Sequence, residues 1–184
     1  MFDIRKIQEQ VTYRAVEAAS DAKTADEIVY GAEGAAKEQG NAEWVASAME
    51  RLDRKFGRSE VRQIRRSCQC GYGMEEKLAL VKELMKRSSG LEEFGNLEEA
   101  HAAGLFFEDG TLYLQFPFCP CPMLAEVERL ETDTWCQCTT GYSQVLFEQA
   151  FGCPVEVELL KSVKMGDERC LMTIVPQGTV WPVV

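Results

Sequence analysis

Three pairs of cysteines, each separated by a single residue, carry the sharpest chemical signal in the chain: Cys68-Gln-Cys70, Cys119-Pro-Cys121 and Cys136-Gln-Cys138. They account for six of the eight cysteines among 184 residues. Thiols at i and i+2 lie on one side of a strand or converge in a tight turn, so each pair can present two sulfurs to one centre. Two such pairs supply the four thiolates of a tetrahedral zinc site, with Zn–S bonds of ~2.3 Å. Iron–sulfur clusters also take four thiolates, usually at wider spacing, and rank behind zinc. The spacing therefore reads as a metal-ligand set of Cys119, Cys121, Cys136 and Cys138, completed by Cys68 and Cys70.

A thiolate can also act as a nucleophile. Cys136 and Cys138 are read as the handover from a strand to a helix that begins near Gly141-Tyr142-Ser143-Gln144. The unpaired amides and positive dipole of a helix start favour thiolate there. Cys138 and Cys136 are thus the catalytic candidates of a hydrolytic reading. Their general base would be His101, the only histidine, or a carboxylate such as Glu126 or Glu148. A third chemistry is redox: paired thiols can cycle through disulfides or direct assembly. Cys153, followed by Pro154, and Cys170 read as core residues, because free cysteine packs as a small apolar side chain.

The composition narrows the partners. A formal charge of −10 opposes general binding to a phosphate backbone, so nucleic acid is not expected. No segment approaches the roughly 20 apolar residues that span a bilayer, and the start, Met1-Phe-Asp-Ile-Arg-Lys-Ile, is charged rather than built as a signal peptide. The expectation is a cytoplasmic protein without membrane attachment, its thiols reduced. Within this acidic chain, Arg51, Arg54, Lys55, Arg58, Arg62, Arg65 and Arg66 form a basic run. It reads first as a solvated helix face balanced by Glu50, Asp53 and Glu60, with an anion site as the alternative.

Hydrophobic periodicity places these residues. Ile4, Ile7, Val11, Ala15 and Ala18 fall on one helix face, and Thr24-Ala-Asp-Glu27 has the spacing of a capping box opening a second helix towards Gly40. Asn41 is read as the cap of a third helix with a Trp44, Val45, Ala48, Leu52 and Phe56 stripe. Shorter helices are expected after Ser59, from Met74 to Arg87, and from Asn96 to Gly104, the last carrying His101. Beyond Gly104 the period shortens. Leu105–Glu108 and Thr111–Phe116 flank Asp109-Gly110, a two-residue hairpin signal. A helix through Tyr142 to Gly152 and a second hairpin, 155–160 with 170–175, complete the chain. The predicted fold is α+β: N-terminal helices (1–104) packed on a C-terminal antiparallel sheet with one helix (105–184), in the order hairpin, strand, helix, hairpin, forming a single compact domain.

The motifs Cys119-Pro-Cys121-Pro, Cys136-Gln-Cys138-Thr-Thr-Gly141, Phe147-Glu-Gln-Ala-Phe-Gly152, Pro154-Val-Glu-Val-Glu-Leu-Leu160 and Gly166-Asp-Glu-Arg-Cys170 together resemble the prokaryotic L-2-amino-thiazoline-4-carboxylic acid hydrolase family and its neighbours of unknown function. The ending is more distantly similar to the 4-vinyl-reductase ligand-binding domain. The resemblance covers roughly residues 105–176. It implies an α+β domain and opening of a small heterocyclic C=N ring; Met172-Thr-Ile departs from the Arg-Phe-x-Ile ending usual after the last cysteine. The combined expectation is a small-molecule-binding protein with a Cys-x-Cys cluster. Its ligand would be a small organic molecule, for instance a carboxylate, zinc is the expected metal, and a homodimer is among the allowed assemblies. The alternatives are a hydrolase of a cyclic amidine or thiazoline, and a thiol redox or assembly protein.

Overall fold

In the computed structural model, residues 3–181 are described. Met1 and Phe2, read above as part of a charged start, and residues 182–184, assigned to the sheet part, lie outside them. In chain order the elements are α1 (Ile4–Ala19), α2 (Ala22–Tyr30), α3 (Asn41–Lys55), α4 (Arg58–Arg66), α5 (Met74–Lys86), α6 (Leu91–Gly95), α7 (Glu98–Ala102), β1 (Leu105–Glu108), β2 (Thr111–Phe116), α8 (Gln137–Phe151), β3 (Val155–Lys161) and β4 (Cys170–Pro176). Short 3-10 turns occupy Ala32–Glu38, Pro122–Leu124, Asp133–Cys136 and Val163–Met165. The chain divides into two compact units. Unit 1 holds residues 3–70 with 120–141, and unit 2 holds 71–119 with 142–181. The change from helix to sheet near Gly104 is a change of local structure, whereas the units part at 70/71, 119/120 and 141/142.

Unit 1 is helical. The Asp3 carboxylate opens α1 by accepting the Lys6 amide at 3.1 Å. The face of α1 that becomes fully buried is Gln8, Thr12 and Val16, while Ile4, Ile7, Val11 and Ala15 are only half covered. Two of those three buried residues are polar, so hydrophobic spacing alone points to the wrong stripe, and the polar groups must find partners inside. Helix α2 starts earlier than Thr24 because Asp21 is the cap: its carboxylate accepts the Thr24 amide at 2.8 Å and the Thr24 hydroxyl at 3.1 Å. It ends at Tyr30, where Gly31 turns the chain into the 3-10 segment instead of continuing to Gly40. Helix α3 buries Trp44, Val45, Ala48 and Leu52, and Trp44 Nε1 donates to the Val29 carbonyl at 2.8 Å. Helix α4 buries Val61, Ile64 and Arg65.

The strand expected ahead of Cys136 does not form. Pro120 and Pro122 withhold ladder amides, and Thr134, Trp135, Cys136, Gln137 and Cys138 are buried in succession rather than alternately, a pattern no half-wet strand can satisfy. The chain instead winds through the 3-10 turn at Asp133–Cys136 straight into α8. Among the described residues, no strand lies between β2 and α8.

Unit 2 is a four-stranded sheet in the order β1-β2-β4-β3, every pairing antiparallel. Asp109 and Gly110, with φ of 48° and 79°, make the predicted hairpin turn and set Leu105 opposite Leu114. Strand β3 buries Val155 and Val157 and exposes Glu156 and Glu158, as its alternation predicts. Phe94, Leu112, Phe147, Met172 and Ile174 form the centre of this core, with Phe94 meeting Phe151 edge-on at 6.0 Å. Each such side chain contributes on the order of 1.5–3 kcal/mol through burial. Helices beside an antiparallel sheet make the chain α+β, as the order of periodicities predicts.

Gly104 starts this sheet under two constraints. Its φ is +88°, and a Cβ there would lie 2.2 Å from the Gln115 carbonyl oxygen, while the Gln115 amide donates to the Gly104 carbonyl at 2.8 Å. Gly110 has φ +79° but open space around it. In urea unfolding, Gly104→Ala is expected to lose ~3 kcal/mol or more and Gly110→Ala only ~1 kcal/mol; equal losses would contradict the close approach.

Candidate functional site

The core of unit 1 contains a charge. Arg65, on the last turn of α4, is fully buried and has no carboxylate partner among the described residues. Its guanidinium lies over the Trp135 ring, 3.8 Å from the centroid. Nη1 donates to Thr12 Oγ1 and Nη2 to the Trp135 carbonyl, both at 3.3 Å, while Nε has no acceptor. Arginine stays protonated under all ordinary conditions, so a positive charge is held here by neutral acceptors and a π face alone. The inward turn of Thr12 on α1 follows from this, because it is one of those acceptors. Trp135 is itself wedged edge-on against Trp44, centroids 5.7 Å apart.

Around the guanidinium the structure gathers one cysteine from each Cys-x-Cys pair. Cys68 follows α4, buried, its thiol donating to the Ile64 carbonyl at 3.1 Å. The Thr12 hydroxyl and Arg65 bond to its sulfur, and Cys138 lies within its electrostatic reach. Cys138, buried in the first turn of α8, hydrogen-bonds the thiol of half-buried Cys121, beside Pro122. Gly141 lets this first turn press on the end of α4: a Cβ there would meet the Arg66 carbonyl oxygen at 1.9 Å. The three thiols therefore sit where α4, the Pro122–Leu124 turn and the start of α8 meet.

Within the pairs, Cys136 ends the 3-10 turn and Cys138 lies in the first turn of α8. Cys119 and Cys121 are half-buried on the loop after β2. Cys70 is half-buried beyond the end of α4, and Cys153 and Cys170 lie in unit 2, Cys170 buried in β4 as a core residue. Among the described residues, no three histidine, cysteine, aspartate or glutamate side chains are arranged to hold a metal ion.

Of the groups proposed as bases, His101 is exposed on α7 in unit 2, lining a cavity of about 1040 Å³. Glu148, also in unit 2, accepts from Gln144 Nε2 and the Val155 amide. Glu126 is in unit 1 but exposed. The Gly166-Asp-Glu-Arg motif is spent on structure: Asp167 accepts the Ser162 amide at 2.8 Å and Arg169 donates to Gln115 at 2.7 Å.

Electrostatics at the thiols run against the helix-start expectation. The bond with Cys121 and then burial push Cys138 well above the ordinary thiol value, and Arg65 only partly offsets them. Burial likewise pushes Cys68 up, against the pull of Arg65. These influences outweigh the pull of Arg65, so both thiols are protonated at neutral pH. The basic run had no sequence signal that would single out Arg65; its spacing from Val61 and Ile64 on the buried face of α4 was the available clue.

The chain belongs to a family of unknown function, DUF6144, whose model matches residues 1–181. No curated protein matches the chain.

A thiol whose value is raised on folding stabilises the fold fully below the unfolded value and loses that contribution as pH rises above it. For Cys138 and Cys68 the loss begins near the ordinary value of 9.0 and continues upward. Urea midpoints should therefore hold steady from about pH 7 to 8.5 and fall above about 9, and Cys138→Ala should fall less steeply there. An alkaline slope identical to that of the wild type would remove Cys138 as its source.

Proposed function

We propose that the protein is a thiol redox protein whose working pair is Cys121 and Cys138. The observation that carries this reading is the pairing of these two thiols in unit 1, where half-buried Cys121 is the largest influence on the ionisation of buried Cys138. Two thiols so coupled are candidates for a reversible disulfide.

The step balances as follows. A hydroperoxide oxidises the Cys121 thiol to a sulfenic acid and leaves as its alcohol, or as water from hydrogen peroxide. The Cys138 sulfur then attacks Cys121, water departs carrying the oxygen, and the S–S bond closes. A small-molecule thiol returns both cysteines to the reduced state by exchange. Cys121 takes the first step because it is the more exposed of the two. Arg65 acts as a positioning residue, its charge favouring thiolate at Cys138 as that sulfur becomes the attacking group. Cycling of this kind suits the reducing cytoplasm expected from the cysteine content, and no helix of the described residues is long and apolar enough to cross a membrane.

Two features make this reading stronger than the others raised by the sequence. Metal ligation would need three or more donors at one centre, and the described residues do not bring them together. Hydrolytic attack on a C=N ring, the chemistry implied by the thiazoline hydrolase resemblance, needs an ionised thiol, and Cys68 and Cys138 are both raised.

Of the eight thiols, mild hydrogen peroxide on native protein should remove two and dithiothreitol should restore them. Cys121→Ser and Cys138→Ser should each abolish the paired loss, and Cys153→Ser should leave it intact. An unchanged thiol titre in wild-type protein would defeat the proposal. Arg65→Met should slow closure of the disulfide, because the charge that favours thiolate at Cys138 is gone, and urea unfolding should show a loss of stability from the Thr12 hydroxyl and Trp135 carbonyl left without their donor.

A further inference from the structure

Part of the basic run lines a groove of unit 1 that the thiol chemistry does not use. The groove has a volume of about 740 Å³, the size of a small-molecule site. Lys23, Lys37, Arg51, Arg54 and Lys55 line it together with Tyr30, facing three carboxylates, Asp26, Glu27 and Glu33. A local excess of positive charge is unexpected in a chain of net charge −10.

The cations are not equivalent. Lys23 faces Glu27 at 4.0 Å, and Arg54 is paired with Glu50, so these two are compensated. Lys37 rests over the Tyr30 ring, 5.3 Å from its centroid. Among the described residues, no carboxylate lies within ion-pair distance of Lys37, Arg51 or Lys55. Arg51 is the fixed member. Its Nε donates to the Ile28 carbonyl at 2.7 Å, which leaves the two Nη groups as a fork, and Nη2 is buried without an acceptor. Gly31, at φ +72°, turns the chain beside it; a Cβ at that position would stand 3.8 Å from Arg51 Nη1. Burial disfavours the Arg51 cation, Glu50 offsets part of this, and the nearby Arg5 charge adds to it, a balance that an arriving anion would improve.

We propose that this groove binds a small organic phosphate, its phosphate held by the Arg51 fork and by Lys37 and Lys55, its organic part against Tyr30 and Ile28. A guanidinium whose Nη groups have no partner among the described residues matches the oxygens of a phosphate, with Nη1 beside Gly31 on the groove and the buried Nη2 still in need of an acceptor. Two flexible lysines on either side supply the remaining charge for a dianion or trianion. The site is independent of the redox pair, and neither proposal depends on the other.

Titration calorimetry of the full chain with inorganic pyrophosphate at low ionic strength tests it, with citrate as a tricarboxylate of comparable charge in a parallel arm. The expected result is saturable pyrophosphate binding with Kd below about 1 mM, weakened at least tenfold in Arg51→Ala and in the Lys37→Ala/Lys55→Ala double variant, and unchanged in Lys82→Ala of unit 2. Circular dichroism melting checks folding; if Arg51→Ala does not fold, the exposed-lysine double variant decides the matter. No saturation up to about 10 mM, an unaltered Kd in the double variant, or tighter binding of citrate than of pyrophosphate would overturn the assignment.

Discussion

The constraint on which unit 1 depends is the burial of the Arg65 guanidinium without a carboxylate. Removing an ion from water costs several kcal/mol even after relaxation, and the neighbours that meet this one are a π face, a hydroxyl and a carbonyl. That requirement explains several otherwise odd choices. Helix α1 turns Thr12 inward, where its hydroxyl accepts from Arg65. Trp135 is locked between Arg65 and Trp44, which fixes the 3-10 turn that delivers Cys136 and Cys138. Gly141 is needed because the first turn of α8 must press on the Arg66 carbonyl for this geometry to close.

Electrostatics then decides what the thiols can do. Arg65 is the single influence that lowers both Cys68 and Cys138, yet burial wins at Cys68, and the interaction with Cys121 followed by burial wins at Cys138. The site stores protonated sulfurs beside a fixed positive charge, an arrangement that favours transient ionisation during exchange over a standing nucleophile. A resting thiolate would be the better design for hydrolysis, and a wider gathering of sulfurs the better design for metal. The Cys121–Cys138 contact suits neither as directly as it suits reversible oxidation.

Much of unit 2 was legible from the residues. The Asp109-Gly110 turn, the Val155-Glu156-Val157-Glu158 alternation and the return strand ending at 176 report local geometry, and local geometry is what period and turn chemistry encode. The helices of unit 1 were legible in number and less so in their faces, because the buried side of α1 is chosen by a cation some fifty residues away in sequence. Spacing of one residue implies convergence only in extended chain or a tight turn. The coupling of Cys121 with Cys138, and of Cys68 with Cys138, joins residues far apart in sequence, and no pattern within a short window could show that. The basic run was similarly mixed: Arg54 and Arg62 pair at the surface as charged faces do, while Arg51 and Arg65 turn inward.

The central claim is that sulfurs pair across the three motifs and not within them. Peptide mapping of peroxide-treated native protein under non-reducing conditions, with free thiols blocked beforehand at acid pH, reads that connectivity directly. The account predicts a single dominant disulfide between Cys121 and Cys138. Linkage of Cys136 to Cys138, or of Cys119 to Cys121, in native protein would contradict it.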